Sequence, residues 1–343
     1  MPPPAAPAVG VIANPASGRD IRRLVSGASV FDNAEKGSMV YRLMVGLGAV
    51  GVDRVLMMPA ESGVSESLRR HLRGHASDRR PLPELETLEM RIRSDARDTV
   101  EAVEEMLRQA VAAIVVLGGD GTNRVIARHS PDVPLCSLST GTNNAFPRMR
   151  EATVAGITTG LVATGKLGDE VLRREKALRI GLNGDPDHDC ALVDVAVCSE
   201  RFVGARAVWR AEDVSELFVT SAPPHAVGFS SVAGMLDPVS RDEAHGLHVS
   251  LTDPAAAELT LTVPLAPGLV VPVGVAESRR IEPGVEIPIE PVSGSLALDG
   301  EREIELGPRD RAAVRLDANA PRTIDVEAAM KEAARHGLLN GML

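Results

Sequence analysis

Residues 111–122, Val-Ala-Ala-Ile-Val-Val-Leu-Gly-Gly-Asp-Gly-Thr, concentrate the chemistry of this chain. A short apolar run, rich in β-branched residues, stops at Gly118 and Gly119; Asp120, Gly121 and Thr122 follow, and Asn123 to His129 has helical character. An apolar run bounded by glycines predicts a buried strand. A strand, a glycine turn and a helix start make a phosphate cradle. Glycines let backbone N–H groups approach a ligand, and the helix dipole favours its negative charge. Asp120 is the odd residue. A carboxylate repels phosphate unless it binds a metal or handles a proton, so its predicted task is to orient or deprotonate an attacking hydroxyl. Gly-Gly and Asp-Gly also form hairpin turns. No alternating strand follows Thr122, and that context favours the phosphate site.

Gly118 to Thr122 resembles the signature of the superfamily that holds NAD kinases, diacylglycerol kinases and sphingosine-type lipid kinases. Three further elements arrive in that family's order. Asn14-Pro-Ala-Ser-Gly18 resembles its N-terminal Asn-Pro-x-Ser-Gly element. Thr140-Gly-Thr-Asn-Asn-Ala-Phe146 resembles its second glycine loop, and Leu298-Asp-Gly-Glu301 the Asp-Gly-Glu element of the lipid kinases. The resemblance spans Val9 to the early 300s. The wording of the N-terminal third is closest to the ATP-NAD kinase-like branch that includes acetoin catabolism protein X.

The resemblance implies an α/β fold: an N-terminal Rossmann-like parallel domain and a C-terminal β-rich, sandwich-like domain. It implies phosphorylation of a hydroxyl by ATP or polyphosphate with Mg2+, with NAD or a related small molecule as acceptor. Asp120 and Glu301 are then the catalytic acids, and Asp299 the metal residue. Gly118, Gly119, Gly121 and Thr122 cradle phosphates. Asn14, Ser17 and Gly18 contact the donor, with Arg19 adding charge. Thr140, Gly141, Thr142, Asn143 and Asn144 line the other wall. Asp194 matches the acidic position in the NAD kinase strand that binds the dinucleotide ribose, although Val193 replaces the asparagine found there. Ser230 and Ser231 fall in a segment similar to the substrate loop of NAD kinases.

Several of these residues have ordinary alternatives. Asn14 to Gly18 can close an Asx turn, Asn143 and Asn144 can enter a helix, and Asp194 can be the exposed residue of an alternating strand. Asp299-Gly300 reads as a hairpin turn joining Ser295–Leu298 to Glu303–Leu306. Two other functions stay open: a lipid or polyol kinase, favoured by Asp299-Gly-Glu301, and a non-catalytic nucleotide-binding regulator, favoured by Val193.

The chain has 343 residues and a formal net charge of -10. That charge argues against nucleic acid or an anionic membrane as partner. Aromatics are 2%, so base-stacking platforms are not expected. Cys136, Cys190 and Cys198 show no paired metal spacing and no disulfide framework, which favours a reducing cytoplasm. The proline-rich start reads as a frayed leader rather than a signal peptide. His71 and His75 lie four apart, but Gly74 intervenes and no acidic motif completes a zinc site. The related kinases form dimers and tetramers, and a symmetric homo-oligomer is expected.

The elements that must position these residues alternate up to about residue 150. Strands are predicted at Val9–Ala13, Val52–Met58, Glu86–Ile92, Val111–Leu117 and Pro134–Leu138. Helices are predicted at Ala34–Val50, Ser62–Arg73, Asp95–Ala110 and Ala152–Thr164, with a further one after Asp20. Such alternation implies a parallel sheet covered on both faces, with ligands beyond the strands' carboxyl ends. The three glycine loops should therefore converge. From residue 165 to 320 the reading is all-β: strands at Ala177–Leu182, Ala191–Val197, His225–Phe229, Leu247–Thr252, Glu258–Val263, Leu269–Val275, Glu286–Ile289 and Leu296–Leu298. A last helix, Ile324–Leu339 within 323–343, is expected to pack back on the first domain, residues 9–150.

Overall fold

The structure is a computed structural model that describes residues 7–15, 31–60, 63–75, 81–141, 144–200, 208, 210–290 and 293–341. Strand β1 (Ala8–Ala13) opens it, followed by α1 (Asn33–Ala49), β2 (Arg54–Met57), α2 (Val64–His75) and β3 (Glu84–Thr87). Next come α3 (Ala96–Arg108), β4 (Ala113–Gly118), α4 (Asp120–His129), β5 (Leu135–Ser139) and α5 (Ala152–Ala163). Then β6 (Leu172–Arg174), β7 (Ala177–Leu182), β8 (Asp185–Ala191), β9 (Asp194–Cys198), β10 (Val214–Val219) and α6 (Ser230–Leu236) follow. The rest is β11 (Gly246–Thr252), β12 (Leu259–Ala266), β13 (Leu269–Ile281), β14 (Glu286–Ile289), β15 (Gly294–Leu298), β16 (Glu301–Leu306), β17 (Ala312–Asp317), β18 (Arg322–Ile324) and α7 (Val326–Arg335).

The first sheet has the order β3-β2-β1-β4-β5-β18-β6. Its pairs are parallel from β3 through β18, and only β6 runs antiparallel. β1 and β4 are buried along their whole length, as expected for strands covered on both faces. One face packs on α1, α2 and α5 through Leu43, Leu47, Val115 and Leu138; the other packs on α3 and α4 through Met106, Ile114 and Ile126. The sheet is not confined to residues 9–150, because β6 and β18 extend it past β5. The α7 helix buries Ala329 and Ala333 against Val50, Leu161 and Val171 on the same layer.

Helices α1 and α5 cross at glycines. A Cβ on Gly46 would lie 2.3 Å from the Thr153 carbonyl oxygen, and one on Gly156 would lie 2.3 Å from that of Leu43. Backbone meets backbone there, so no flexible side chain can yield. Gly156→Val is therefore expected to cost about 1–3 kcal/mol through overpacking. A urea midpoint indistinguishable from the parent chain would refute the close crossing.

The remaining strands form two antiparallel layers. One has the order β12-β13-β11-β10-β9-β15-β16, the other β14-β17-β7-β8. They bury Leu178, Val195, Phe218, Leu296 and Val314 between them. The expected strand at His225–Phe229 is not there. Pro223 and Pro224 lack amide donors, Ala226 closes a turn on the Pro223 carbonyl, and the chain enters α6 at Ser230. Strands β8, β10 and β17 were not foreseen. In β8 the run Asp-Pro-Asp-His-Asp carries no apolar alternation, yet it pairs antiparallel with β7, with a register shift between Ile180 and Leu182.

Candidate functional site

Parallel pairing of β1, β4 and β5 brings three loops to one edge. Asn14 follows β1, and its amide donates to the Leu117 carbonyl oxygen at 3.2 Å. Its side-chain Nδ2 donates to Thr122 Oγ1 at 3.0 Å, joining the loop after β1 to the one after β4. Lys36 of α1 is 1% exposed, and its Nζ donates to the Asn14 carbonyl oxygen at 3.0 Å. This buried cation was missed by sequence reading, because it looks like one more charged residue on an amphipathic helix. Ser17, Gly18, Arg19, Thr142 and Asn143 lie outside the described residues.

Gly119 is the N-cap of α4 and offers no side chain to its first amides; Asp120 stands in the first turn. A Cβ on Gly119 would sit 2.9 Å from Asn144 Oδ1, whereas one on Gly121 would meet open space. The cradle is thus closed on the Asn144 side and open at Gly121. Asn144 Nδ2 donates to Ser139 Oγ at 2.9 Å, which ties this side to the end of β5. Thr140 and Gly141 are buried there, and the Gly141 carbonyl oxygen accepts from Ser139 Oγ at 2.8 Å.

Asp120 does not float in this cradle. Its carboxylate accepts the backbone amides of Ala145 at 3.0 Å and Phe146 at 2.8 Å. The carbonyls of the same two residues accept from Arg241, at 2.5 and 2.7 Å, and the guanidinium lies 5.3 Å from the Phe146 ring centroid. Arg241 thus clamps the segment that clamps Asp120. Burial pulls Arg241 below the usual guanidinium range, helped by Arg148 and Arg150 and opposed by Glu175 and Asp120. Nothing in the local sequence marks Arg241, whose partners lie about a hundred residues away.

A cleft opens beside this clamp. Ala145 and Phe146 form one wall, Leu192, Val193, Thr220 and Ser221 the other, with Glu175, Lys176 and Arg241 between. Lys176 donates from Nζ to the carbonyl oxygens of Ser240 and His245, at 3.0 and 2.8 Å, and burial lowers its pKa to about 8.

Asp299 and Gly300 both have positive φ, +52° and +80°, and form the two-residue turn between β15 and β16. The Asp299 carboxylate is fully buried. Its Oδ1 accepts the amides of Leu192 at 2.9 Å and Val193 at 2.7 Å, and Oδ2 lies 3.9 Å from Arg124 Nε. The carboxylate folds the Leu192–Val193 corner that leads into β9. The expected metal role does not fit this arrangement: both oxygens accept backbone amides, and the side chain is shut away from solvent. Among the described residues no three His, Cys, Asp or Glu side chains are placed to hold a metal ion.

Asp194 starts β9 and is buried; its carbonyl oxygen accepts the Asp299 amide at 2.9 Å. Glu301 opens β16 opposite Leu298 and is half-buried. Glu303, two residues on, reaches α4 and pairs with Arg124 at 3.0 Å. Ser230 and Ser231 are buried in α6, where Ser231 Oγ donates to the Gly228 carbonyl oxygen at 2.6 Å. Neither lines the cleft, because the expected substrate loop is a helix packed on the β-layer.

Burial pushes the Asp299 pKa up to about 8, against Arg124 and the Val193 amide and with the added push of Asp120 and Asp194. An unfolded aspartate titrates near about 3.9. Between those values the native state binds the extra proton, so stability should fall as pH rises from about 4 to 8. Urea midpoints at pH 5 and pH 8 check this. Asp299→Asn, which keeps one acceptor oxygen, should flatten the slope; an unchanged slope would exclude Asp299 as its source.

The sequence description of the ATP-NAD kinase N-terminal domain matches residues 9–167, and that of the acetoin catabolism protein X C-terminal domain matches residues 176–319. A curated relative, acetoin catabolism protein X of Cupriavidus necator, is 44% identical over 341 residues, covering 98% of this chain and 95% of its own. Among solved structures, yeast NADH kinase complexed with NADH aligns with 14% identity over 96% of this chain and 87% of its own, with a TM-score of 0.48. A diacylglycerol kinase from Bacillus anthracis str. Sterne aligns with 12% identity over 93% and 96%, with a TM-score of 0.42. No helix among the described residues is long and apolar enough to cross a membrane.

Proposed function

Because this chain belongs to the acetoin catabolism protein X family, whose N-terminal part matches the ATP-NAD kinase domain, we propose that it is a phosphotransferase of NAD kinase type. It moves a phosphoryl group from ATP or polyphosphate to a hydroxyl of NAD or a related small molecule, in a role tied to acetoin catabolism. One observation carries this reading: next to a glycine cradle, a carboxylate is fixed by the amides of Ala145 and Phe146, two residues that line a small cleft. The donor's phosphates lie along Gly118 to Thr122, where α4 offers its positive end. The acceptor enters between Phe146 and Val193 and turns its hydroxyl to Asp120. Asp120 orients that hydroxyl and takes its proton as the oxygen attacks phosphorus. Fixing the carboxylate beforehand is how such a site lowers the barrier, because positioning dominates phosphoryl transfer.

A second reading, a nucleotide-binding regulator on the same fold, is favoured by Val193 in place of the ribose-binding asparagine. The full chain is incubated with ATP or polyphosphate and with NAD, NADH or glycerol, and products are followed by phosphorus NMR. A new phosphomonoester on NAD or NADH supports the proposal. Nucleotide binding by calorimetry without any product would replace it with the regulator.

A further inference from the structure

Beyond Asp120 and its clamp, the chain gathers four arginines at one groove, and carboxylates partner three of them. Arg148, Arg150, Arg173 and Arg241 line one groove, with Glu175 and Asp325 as its acidic members. The groove is a built feature of the fold. Arg148 is fixed by its backbone, bridging Leu138 of β5, with its carbonyl oxygen accepting the Ser139 amide at 2.9 Å. Arg173 sits on β6 and pairs with Asp242 and Asp325; Arg150 pairs with Glu327 at 3.3 Å. Arg241 lies 3.9 Å from Glu175 while holding the carbonyls of Ala145 and Phe146.

Arg148 differs from the other three. It is exposed, and among the described residues no carboxylate or carbonyl accepts its guanidinium. With three of the arginines partnered, Arg148 is the guanidinium placed to take an anion, and the chain's net charge of -10 makes the concentration more distinctive. Planar guanidinium groups match the paired oxygens of phosphate and carboxylate, which a lone ammonium does not.

We propose that this groove binds a small, multiply charged oxyanion, a phosphate or a carboxylate, with Arg148 as its principal contact and Arg150, Arg173 and Arg241 as the supporting wall. Such a ligand would sit against the opposite side of the Arg241 clamp from the acceptor cleft. The site stands apart from phosphoryl transfer, and its test uses binding in the absence of a donor, so a chain without kinase activity leaves it intact.

Calorimetry of the full chain at low ionic strength, with pyrophosphate in one series and citrate in another, tests it. Binding of pyrophosphate alone assigns the site to phosphates, of citrate alone to carboxylates, and of both to multiply charged oxyanions in general. Arg148→Glu should weaken the binding at least about tenfold, as expected when a charge-assisted hydrogen bond is lost and its charge reversed. Among the described residues Arg148 makes no side-chain bond, so the variant should melt with the parent, and melting is measured alongside. Arg309→Glu, an exposed charge reversal outside the groove, should leave this binding unchanged. Failure of the parent chain to bind either anion overturns the proposal. So does parent-like affinity in Arg148→Glu, or an equal loss in Arg309→Glu.

Discussion

Asp120→Asn should lower turnover by about 10²–10⁴-fold, the usual worth of a positioned proton acceptor. The structure adds a second consequence. The aspartate receives the Ala145 and Phe146 amides on a carboxylate with two acceptor oxygens. Asparagine keeps one acceptor oxygen and turns an amide donor toward the other position. One backbone N–H then faces a donor, at a cost of about 1–3 kcal/mol. The variant should therefore lose stability as well as turnover, and the segment from Asn144 to Phe146 should loosen. Steady-state kinetics with hydrogen exchange at residues 144–148 reads both. Wild-type turnover with unchanged exchange would reject both the catalytic and the anchoring role. If the chain binds nucleotide without transferring phosphate, Asp120→Ala should weaken that binding by removing a ribose contact.

The second large effect lies four residues along the same helix. Arg124 is buried, and its guanidinium pairs with Asp189 at 3.2 Å and Glu303 at 3.0 Å, with Asp299 at 3.9 Å. Asp189 lies in β8 and Glu303 in β16, so one side chain from the cradle helix joins both antiparallel layers. Replacing it with leucine leaves the acids without their shared cation. Breaking a buried pair from one side typically costs about 3–5 kcal/mol. Arg124→Leu should lose that much in urea unfolding, and Arg124→Lys should lose less, because it keeps the charge but not the fork. A loss within about 1 kcal/mol, the worth of a surface pair, would show that solvent already compensates these acids.

The first layer was readable because its signals are local. Val111 to Leu117 is apolar throughout, glycines stop it, and the helices around it alternate with a clear period. The loops converge because parallel strands put their ends together, so the Asn14–Thr122 contact follows from topology. The same reading erred where a residue's partners are distant in sequence. Asp299 was taken for a metal residue because its neighbours in sequence resemble a lipid kinase element. Its partners are the amides of residues 192–194, which only the folded corner brings there. The identification of Asp299-Gly300 as a hairpin turn, in contrast, needed only the two residues themselves. Arg241 and Lys36 escaped notice for a related reason. Each acts on backbone carbonyls, and a carbonyl leaves no trace in a sequence. Ser230 and Ser231 looked like loop residues because small polar types suit both a loop and a tight helix contact.

The first sheet has one more consequence, and it concerns time rather than space. Strand β18 lies between β5 and β6, yet it is made after every other strand. Among the described residues β6 finds its sheet partner only in β18. As the chain is synthesised, β1 to β5 can pair while the outer side of β5 is bridged only at its end, by Arg148, and the rest is a template for any stray strand. Residues 322–324, made last, cover the rest of that edge and admit β6. The layer that begins the chain is thus the last to close, and the groove beside β5, with Thr323 and Ile324 in its wall, exists only once the final strand is in place.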